Sequence, residues 1–432
     1  MKPRFKWGES MSPMRTITLR RVVITGLGAI TDLGKDAATT WDGMVSGRSG
    51  VGPITAFEQN DEWTVRFAGE ISDLDTSHCV DHREAKRMDR ACLLGLVAAE
   101  EAAIDSGIDF TTGDHGRRGV AIGSGIGGII TIEQGYEKLL RTGPRKINPF
   151  TVPKLMVNAC AGNVSIRHKL QGANIATATA CATGGHSIGA AFQMIQRGDA
   201  DVMLAGGTEA AVSSLCIGAF ATMKALSTRN DAPQEASRPF DRDRDGFVLA
   251  EGAAVVVLED LEHAKARGAN ILAEMVGYAS SGDAHHIAAP DETGLGARNA
   301  MTWALRDAEL VPEQIGYINA HGTSTPLGDA AEVNAVKAVF GDHANTLAMS
   351  STKSMTGHAL GAAGGIESIA VVRALQTGIL PPTINLDAPD DDFQLDFVAN
   401  EAKERSLDYA INNSFGFGGH NVSLIFGRYL GD

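Results

Sequence analysis

Short apolar runs, each too brief for an ordinary helix, recur at residues 22–26, 119–122, 201–205 and 253–259, and segments of helical period separate them. Residues 89–103 carry Leu93, Leu94, Leu96, Val97 and Ala98, and residues 330–340 carry Val333, Val336 and Val339 at three-residue spacing. Such an alternation needs a sheet covered by helices, which predicts an α/β fold. With 50 glycines in 432 residues, the chain also tolerates close backbone crossings that bulkier sequences forbid. Its length allows two fused units or one large α/β body.

Laid over each other, the halves show a short repeat. Gly185-His186-Ser187-Ile188-Gly189-Ala190-Ala191 matches Gly357-His358-Ala359-Leu360-Gly361-Ala362-Ala363 at all but two positions, one of them an Ile/Leu exchange. Each copy is expected to open a helix, ending near Gly198 and Gly378 respectively. A duplication would have its seam in the charged segment 260–269, giving an N-terminal half at 20–268 and a C-terminal half at 269–432. Residues 1–19 mix Lys2, Arg4, Lys6 and Glu9 without an apolar stretch, so they are expected to be a frayed extension rather than a secretory signal.

No apolar run approaches the roughly 20 residues that span a bilayer, so no membrane insertion is expected. The formal net charge of −14 argues against nucleic acid as a partner. Cysteines at 79, 92, 160, 181 and 216 contain no C-x-x-C pair, which suggests neither a zinc ribbon nor a disulfide framework and fits a reducing, cytoplasmic setting.

Residues 173–186 read as a short strand, a turn of small residues with Cys181 at its tip, and a helix with Ile188, Ala191, Phe192 and Ile195 on its apolar face. This pattern is a nucleophile elbow; small neighbours let the chain turn sharply and substrate approach the sulfur. A cysteine at a helix N-terminus faces the positive end of the dipole, which is expected to lower its pKa, and its own N–H can face a developing oxyanion. The plain alternative is a buried core thiol. Acyl chemistry on a thiol also needs proton handling, which His321 and His358 offer, each among small residues, with Lys353 near the second.

Two other patterns fail on inspection. Asp241-x-Asp243-x-Asp245-Gly246 begins like a calcium loop, but Gly252 occupies the position where a bidentate Glu is required; an ion-paired loop bracing the cleft is expected instead. Gly123-Ser-Gly125-Ile126-Gly-Gly128 fits a dinucleotide fingerprint but lacks the acidic residue about 20 positions on.

Taken together, the Cys181-Ala-Thr-Gly elbow, the Ala-His321-Gly-Thr323-Ser-Thr325-Pro-Leu-Gly-Asp stretch, Lys353 with Gly357-His358, and Asn-Asn413-Ser414-Phe415-Gly-Phe417-Gly-Gly-His-Asn resemble the β-ketoacyl-acyl-carrier-protein synthases of the elongating type (I/II), closest to type II. The likeness runs from about residue 20 to 428 and leaves out the N-terminal extension. It implies a thiolase-like fold of two duplicated halves in five layers, α-β-α-β-α, and a homodimer. It implies no cofactor. The implied activity is decarboxylative condensation of an acyl thioester on Cys181 with malonyl-acyl-carrier protein in fatty acid elongation.

The resemblance also assigns roles. Cys181 is the acylated nucleophile, and its N–H with that of Phe417 is the oxyanion hole. His321 and His358 handle decarboxylation and condensation, with Lys353 and Glu367 beside them. Thr323 and Thr325 bind the pantetheine arm, and Ile126 lines the acyl pocket. Phe417 is the gate, with Phe415 its neighbour. Related synthases sometimes hold a structural monovalent cation near residues matching Asn319, Glu367, Asn413 and Ser414. Local basic clusters, Arg83, Lys86, Arg87 and Arg90 together with Arg141, Arg145, Lys146 and Lys224, would steer an acidic acyl carrier protein. The family has carrier contacts at Arg145 and Lys146, and the same role is expected of Lys86, Arg87 and Lys224.

Three other readings stay open at this level. They are a ketosynthase of a polyketide or specialised lipid pathway, a non-catalytic subunit that sets chain length, and a cysteine hydrolase that would release acid without forming a carbon–carbon bond. A silent subunit typically lacks the nucleophile, whereas Cys181 is present.

Overall fold

The computed structural model describes residues 18–431; the expected extension falls outside the described residues except for its last two positions. Ten strands build the central sheet: β1 (Val22–Ile30), β2 (Arg118–Gly123), β3 (Asn174–Ile175), β4 (Val202–Glu209), β5 (Gly252–Asp260), β6 (Ala273–Gly282), β7 (Ile315–Asn319), β8 (Ala348–Ser350), β9 (Tyr409–Gly416) and β10 (His420–Gly427). Strands β1, β2, β4 and β5 are buried along their whole length, which is why they read as continuous apolar or small-residue runs rather than alternating ones.

The strand order is β8-β7-β9-β10-β6-β1-β5-β4-β2-β3. In the first half β2 pairs parallel with β3 and β4, while β5 pairs antiparallel with β4 and β1. In the second half β7 pairs parallel with β8 and β9, while β10 pairs antiparallel with β9 and β6. Order and sense are the same in both. A short antiparallel contact, Val22 to Met275 through Ile24 to Ala273, joins the two.

Six helices complete the layers. Helices α1 (Arg90–Asp105) and α2 (Ala159–His168) cover the outer face of the first half, and α4 (Leu295–Asp307) and α5 (Pro326–Phe340) lie outside the second. Between the halves run α3 (Thr183–Gln196) and α6 (Ala363–Thr377), which touch each other. Every residue of α6 from Ala363 to Val372 is buried, including Glu367, whose charge is met by Lys353. The layer order is therefore the expected α-β-α-β-α.

The repeat is real in topology, but the sequence match places it in the wrong register. A 3-10 turn at Ala180–Ala182 precedes α3, and one at Leu360–Ala362 precedes α6. Ala180 and Leu360 both have positive φ, 49° and 43°, a conformation costly for residues other than glycine. Thr183 thus corresponds to Ala363, and the counterpart of Gly185 is Gly365, eight residues beyond Gly357. Gly185–Ala191 lies inside α3, whereas Gly357–Ala363 leads into α6. In this register the glycine pairs Gly184-Gly185 and Gly364-Gly365 correspond, and they answer a packing constraint. A Cβ on Gly184 would sit 2.8 Å from the nitrogen of Gly365, and one on Gly364 would sit 2.6 Å from that of Gly185, so the central helices meet backbone to backbone.

The Arg–Asp segment braces the cleft through protein partners. Arg238 pairs with Asp241 and Asp387, both at 2.9 Å, and Arg244 pairs with Asp390 at 2.7 Å and donates to the carbonyls of Thr325 and Pro326. Asp241 also accepts from the N–H groups of Asp387 and Ala388, which leaves its carboxylate filled by donors rather than shaped for calcium.

Candidate active site

The chain enters the elbow from β3, turns at Ala180–Ala182 and leaves as α3. The sharp turn puts Cys181 at the wall of a cavity of about 610 Å³, with only 7 % of its surface exposed. The backbone N–H groups of Phe417 and of Cys181 itself lie close enough to the sulfur to favour its thiolate. Gly416 makes this approach possible, since a Cβ there would lie 3.1 Å from the nitrogen of Cys181 and 2.7 Å from the carbonyl oxygen of Thr179.

The expectation of a depressed thiol pKa is overturned. Burial pushes the Cys181 thiol up to about 12, against the pull of Lys353 and of those two N–H groups. In this apolar site desolvation of a thiolate outweighs the dipole of α3. The resting protein therefore holds a thiol at neutral pH, and the thiolate fraction rises about ten-fold per pH unit toward that value. Alkylation of Cys181 by iodoacetamide is accordingly expected to keep accelerating beyond pH 9. A plateau below pH 8, followed by mass spectrometry of the Cys181 peptide, would contradict this.

His321 follows β7, and its backbone N–H and that of Gly322 donate to Glu332 at 2.9 and 2.8 Å. Lys353 Nζ donates to the His321 carbonyl at 2.6 Å and is ion-paired with Glu367. His358 is pinned through its main chain, donating to Val248 and accepting from Ala250. The two imidazoles stand with ring centroids 5.4 Å apart and planes at 85°, both lining the cavity with Cys181. Nδ1 of His321 and both ring nitrogens of His358 lack a hydrogen-bond partner among the described residues. Burial, with Lys353 adding to it, holds both imidazoles well below the usual histidine range. They are neutral at physiological pH, and each carries one N–H to donate.

The remaining cavity wall is mostly apolar. Ile126, Phe220, Phe415 and Phe417 line it, and Thr323 and Thr325, whose hydroxyls are 3.1 Å apart, stand in the same wall. Thus Cys181, both histidines, both threonines, Ile126 and both phenylalanines share one cavity, with Lys353 and Glu367 directly behind it.

The basic residues divide. Arg145 and Lys146 are exposed on the turn Pro144–Lys146, Lys86 and Arg87 are exposed with Arg87 stacked over Phe150, and Lys224 is exposed where it lines the cavity. Arg90 turns inward to the buried Glu251 instead, and Arg141 pairs with Glu137. Of the four residues matched to a cation, Asn319 Oδ1, Glu367 Oε2 and Ser414 Oγ are buried without a partner among the described residues, which suits the oxygen chemistry of such an ion. Asn413 does not fit by its side chain, which donates toward Glu332 and accepts from Ser423.

Two buried carboxylates at the site escaped sequence reasoning. Glu332, one of the buried residues of α5, clamps the turn at His321. Glu209, at the end of β4, accepts from Ser124, Gly125, Ile126 and Gly361. The available signal was an acid inside an otherwise apolar helix face or strand, where an unpaired charge would be costly.

Comparison with known proteins gives a consistent set of relatives. The chain matches the family descriptions Beta-ketoacyl synthase, N-terminal domain, over residues 19–264 and Beta-ketoacyl synthase, C-terminal domain, over residues 272–387. It is 51 % identical over 409 residues to 3-oxoacyl-[acyl-carrier-protein] synthase 2 of Coxiella burnetii, covering 95 % of this chain and 99 % of that one. It is 48 % identical to the Synechocystis protein of the same name, covering 96 % and 100 %. Among solved structures, a beta-ketoacyl synthase from Burkholderia phymatum superposes with TM-score 0.87 at 37 % identity, covering 95 % of this chain and all of that one. A chain of a type II PKS acyl-carrier protein in complex with its ketosynthase bound to the hexaketide has the same score at 34 % identity and the same coverage.

Proposed function

This chain belongs to the β-ketoacyl synthase family, and from that premise we propose how its residues divide the work of a 3-oxoacyl-[acyl-carrier-protein] synthase of fatty acid elongation. The observation that carries the reading is one cavity walled by Cys181, His321 and His358 together.

In the first half-reaction the Cys181 sulfur attacks the thioester carbon of an acyl-carrier protein. Its proton passes to a neutral imidazole and on to the departing carrier thiolate, leaving the acyl group on Cys181. In the second, malonyl-carrier protein loses CO2, and the electron pair left behind is held as an enolate by N–H donors from His321 and His358. The enolate carbon attacks the Cys181 thioester. The N–H groups of Cys181 and Phe417 stabilise the tetrahedral oxyanion, which collapses to a 3-oxoacyl-carrier product and a Cys181 thiolate that takes up a proton from solvent. Holding both acyl groups in one water-poor cavity replaces an encounter by an oriented reaction, worth up to about 7–11 kcal/mol of barrier.

Lys353 and Glu367 fix the His321 turn from behind, and Thr323 and Thr325 receive the pantetheine arm. No cofactor enters these steps. A monovalent cation, where bound, would be held by Asn319, Glu367 and Ser414 and would supply structural charge compensation. The functional units are 20–268, which brings the nucleophile, and 269–432, which brings both histidines. The 48–51 % identity to proteins named 3-oxoacyl-[acyl-carrier-protein] synthase 2, against 34 % to the ketosynthase of the type II PKS complex, favours elongation over a polyketide role.

The acyl carrier protein is the partner, docking on Arg145, Lys146, Lys86, Arg87 and Lys224. The chain forms a homodimer; exposed Tyr136, Leu140, Val152, Met156 and Ile166 cluster in the same stretch of sequence as the edge strand β3 and need covering. No helix among the described residues is long and apolar enough to cross a membrane, and the five buried free thiols suit the cytoplasm. Lys146→Glu is expected to raise the apparent KM for carrier-bound substrate about three- to ten-fold at low salt and to leave a small thioester unaffected. Equal effects on both would remove Lys146 from the docking surface. The function itself is tested by incubating the protein with acyl- and malonyl-carrier protein: a 3-oxo product two carbons longer supports it, and free acid alone would replace it with hydrolysis.

A further inference from the structure

The two elbows of the duplicated fold face different occupants. Gly361 follows Leu360 as Cys181 follows Ala180, so it stands where the second half would carry a nucleophile. At the first elbow, Cys181 and Phe417 stand together in the wall of an open cavity. At the second, the N–H of Gly361 donates to Glu209 Oε2 at 3.0 Å. Glu209 closes β4 as Gly416 closes the equivalent strand β9. A Cβ on Gly361 would lie 2.7 Å from that same oxygen, so the carboxylate fills the space a nucleophile would use.

Glu209 is fully buried, and its other bonds lead to the acyl cavity. It accepts from Ser124 Oγ at 2.7 Å, from the Gly125 N–H at 2.8 Å and from the Ile126 N–H at 3.2 Å. Gly125 and Ile126 line the cavity beside Cys181. We propose that Glu209 is a positioning residue for the acyl channel: its carboxylate permanently occupies the anion hole of the second elbow and thereby fixes Ile126 in the wall against which the acyl chain lies. This rests on the acyl-thioester reading above.

The bonding pattern tells what a neutral isostere would do. Gly125 and Gly361 share Oε2, and Ser124 and Ile126 share Oε1. A glutamine amide can serve only one of these pairs as an acceptor. The Ser124 hydroxyl can rotate to accept from an NH2 group, but the Ile126 N–H cannot. Glu209→Gln therefore keeps the Gly125 and Gly361 bonds and releases Ile126 into the channel.

The test measures acylation of Cys181 by butyryl- and palmitoyl-carrier protein, by mass spectrometry of the intact full-length protein. For Glu209→Gln, kcat/KM for the palmitoyl chain is expected to fall about ten-fold further than for the butyryl chain, with the malonyl KM within about two-fold of wild type. A merely structural carboxylate would depress both chains alike, and an unchanged palmitoyl-to-butyryl ratio overturns the proposal. Should that variant not fold, Glu209→Asp carries the test with the same ratio, because it keeps the charge but, one methylene shorter, cannot reach the Gly361 and Ile126 N–H groups at once. Wild type run in parallel separates the two claims: no adduct on wild-type Cys181 would defeat the acyl-thioester reading itself, whichever way the variants behave.

Discussion

Replacing Cys181 by alanine is expected to lower chain extension by about 10⁴-fold or more while leaving decarboxylation of malonyl-carrier protein within about ten-fold of wild type. The acyl group has no other attachment point, since among the described residues the four remaining cysteines are buried and none of them lines the cavity. The groups that would hold the enolate, His321 and His358, are untouched by the change. Stability should barely alter, because one sulfur at the edge of an existing cavity is lost, worth about 1 kcal/mol. Extension and CO2 release measured on the same variant check this, and parallel loss of both would mean that the thiol also shapes the malonyl site.

Removing either imidazole should give the complementary phenotype. His321→Ala and His358→Ala are each expected to lower malonyl decarboxylation by about 10²–10³-fold, the usual loss when one donor to a developing oxyanion is deleted. Acyl transfer to Cys181 should fall much less, because one imidazole remains to relay the proton. Burial keeps both rings neutral, so the donor role does not depend on protonating either ring, and the decarboxylation rate of wild type should be flat between about pH 6 and 8. Decarboxylation that persists in the double variant would remove the histidines from enolate stabilisation.

Much of this site was legible from residues 173–186, 319–326 and 353–358, because each combines a reactive side chain with small residues that permit a tight turn, and from the glycine-flanked Phe415 and Phe417 of 412–421. The strands were legible for a related reason: β1, β2, β4 and β5 are buried throughout and so leave unbroken runs. The repeat was visible yet misaligned. The short match pairs glycines with different tasks, Gly185 inside α3 with Gly357 at positive φ ahead of α6, whereas the true register is set by backbone turns at Ala180 and Leu360, which neither side chain announces. The thiol pKa misled for another reason. A sequence places Cys181 near a helix start, but how dry that place is depends on Phe220, Phe417 and Ile126 arriving from distant segments. Glu209 and Glu332 were passed over because an isolated acid has no motif, and its partners are backbone N–H groups that a sequence does not distinguish. Arg90 looked like part of a surface cluster because its partner Glu251 is 161 positions away.

The central claim is that Cys181 holds the acyl group between the two half-reactions. Wild-type protein mixed with a single equivalent of acyl-carrier protein and quenched before malonyl-carrier protein is added should yield a Cys181 peptide heavier by one acyl group, and this adduct should vanish as the extended product forms. An unmodified Cys181 peptide alongside full product formation would contradict it.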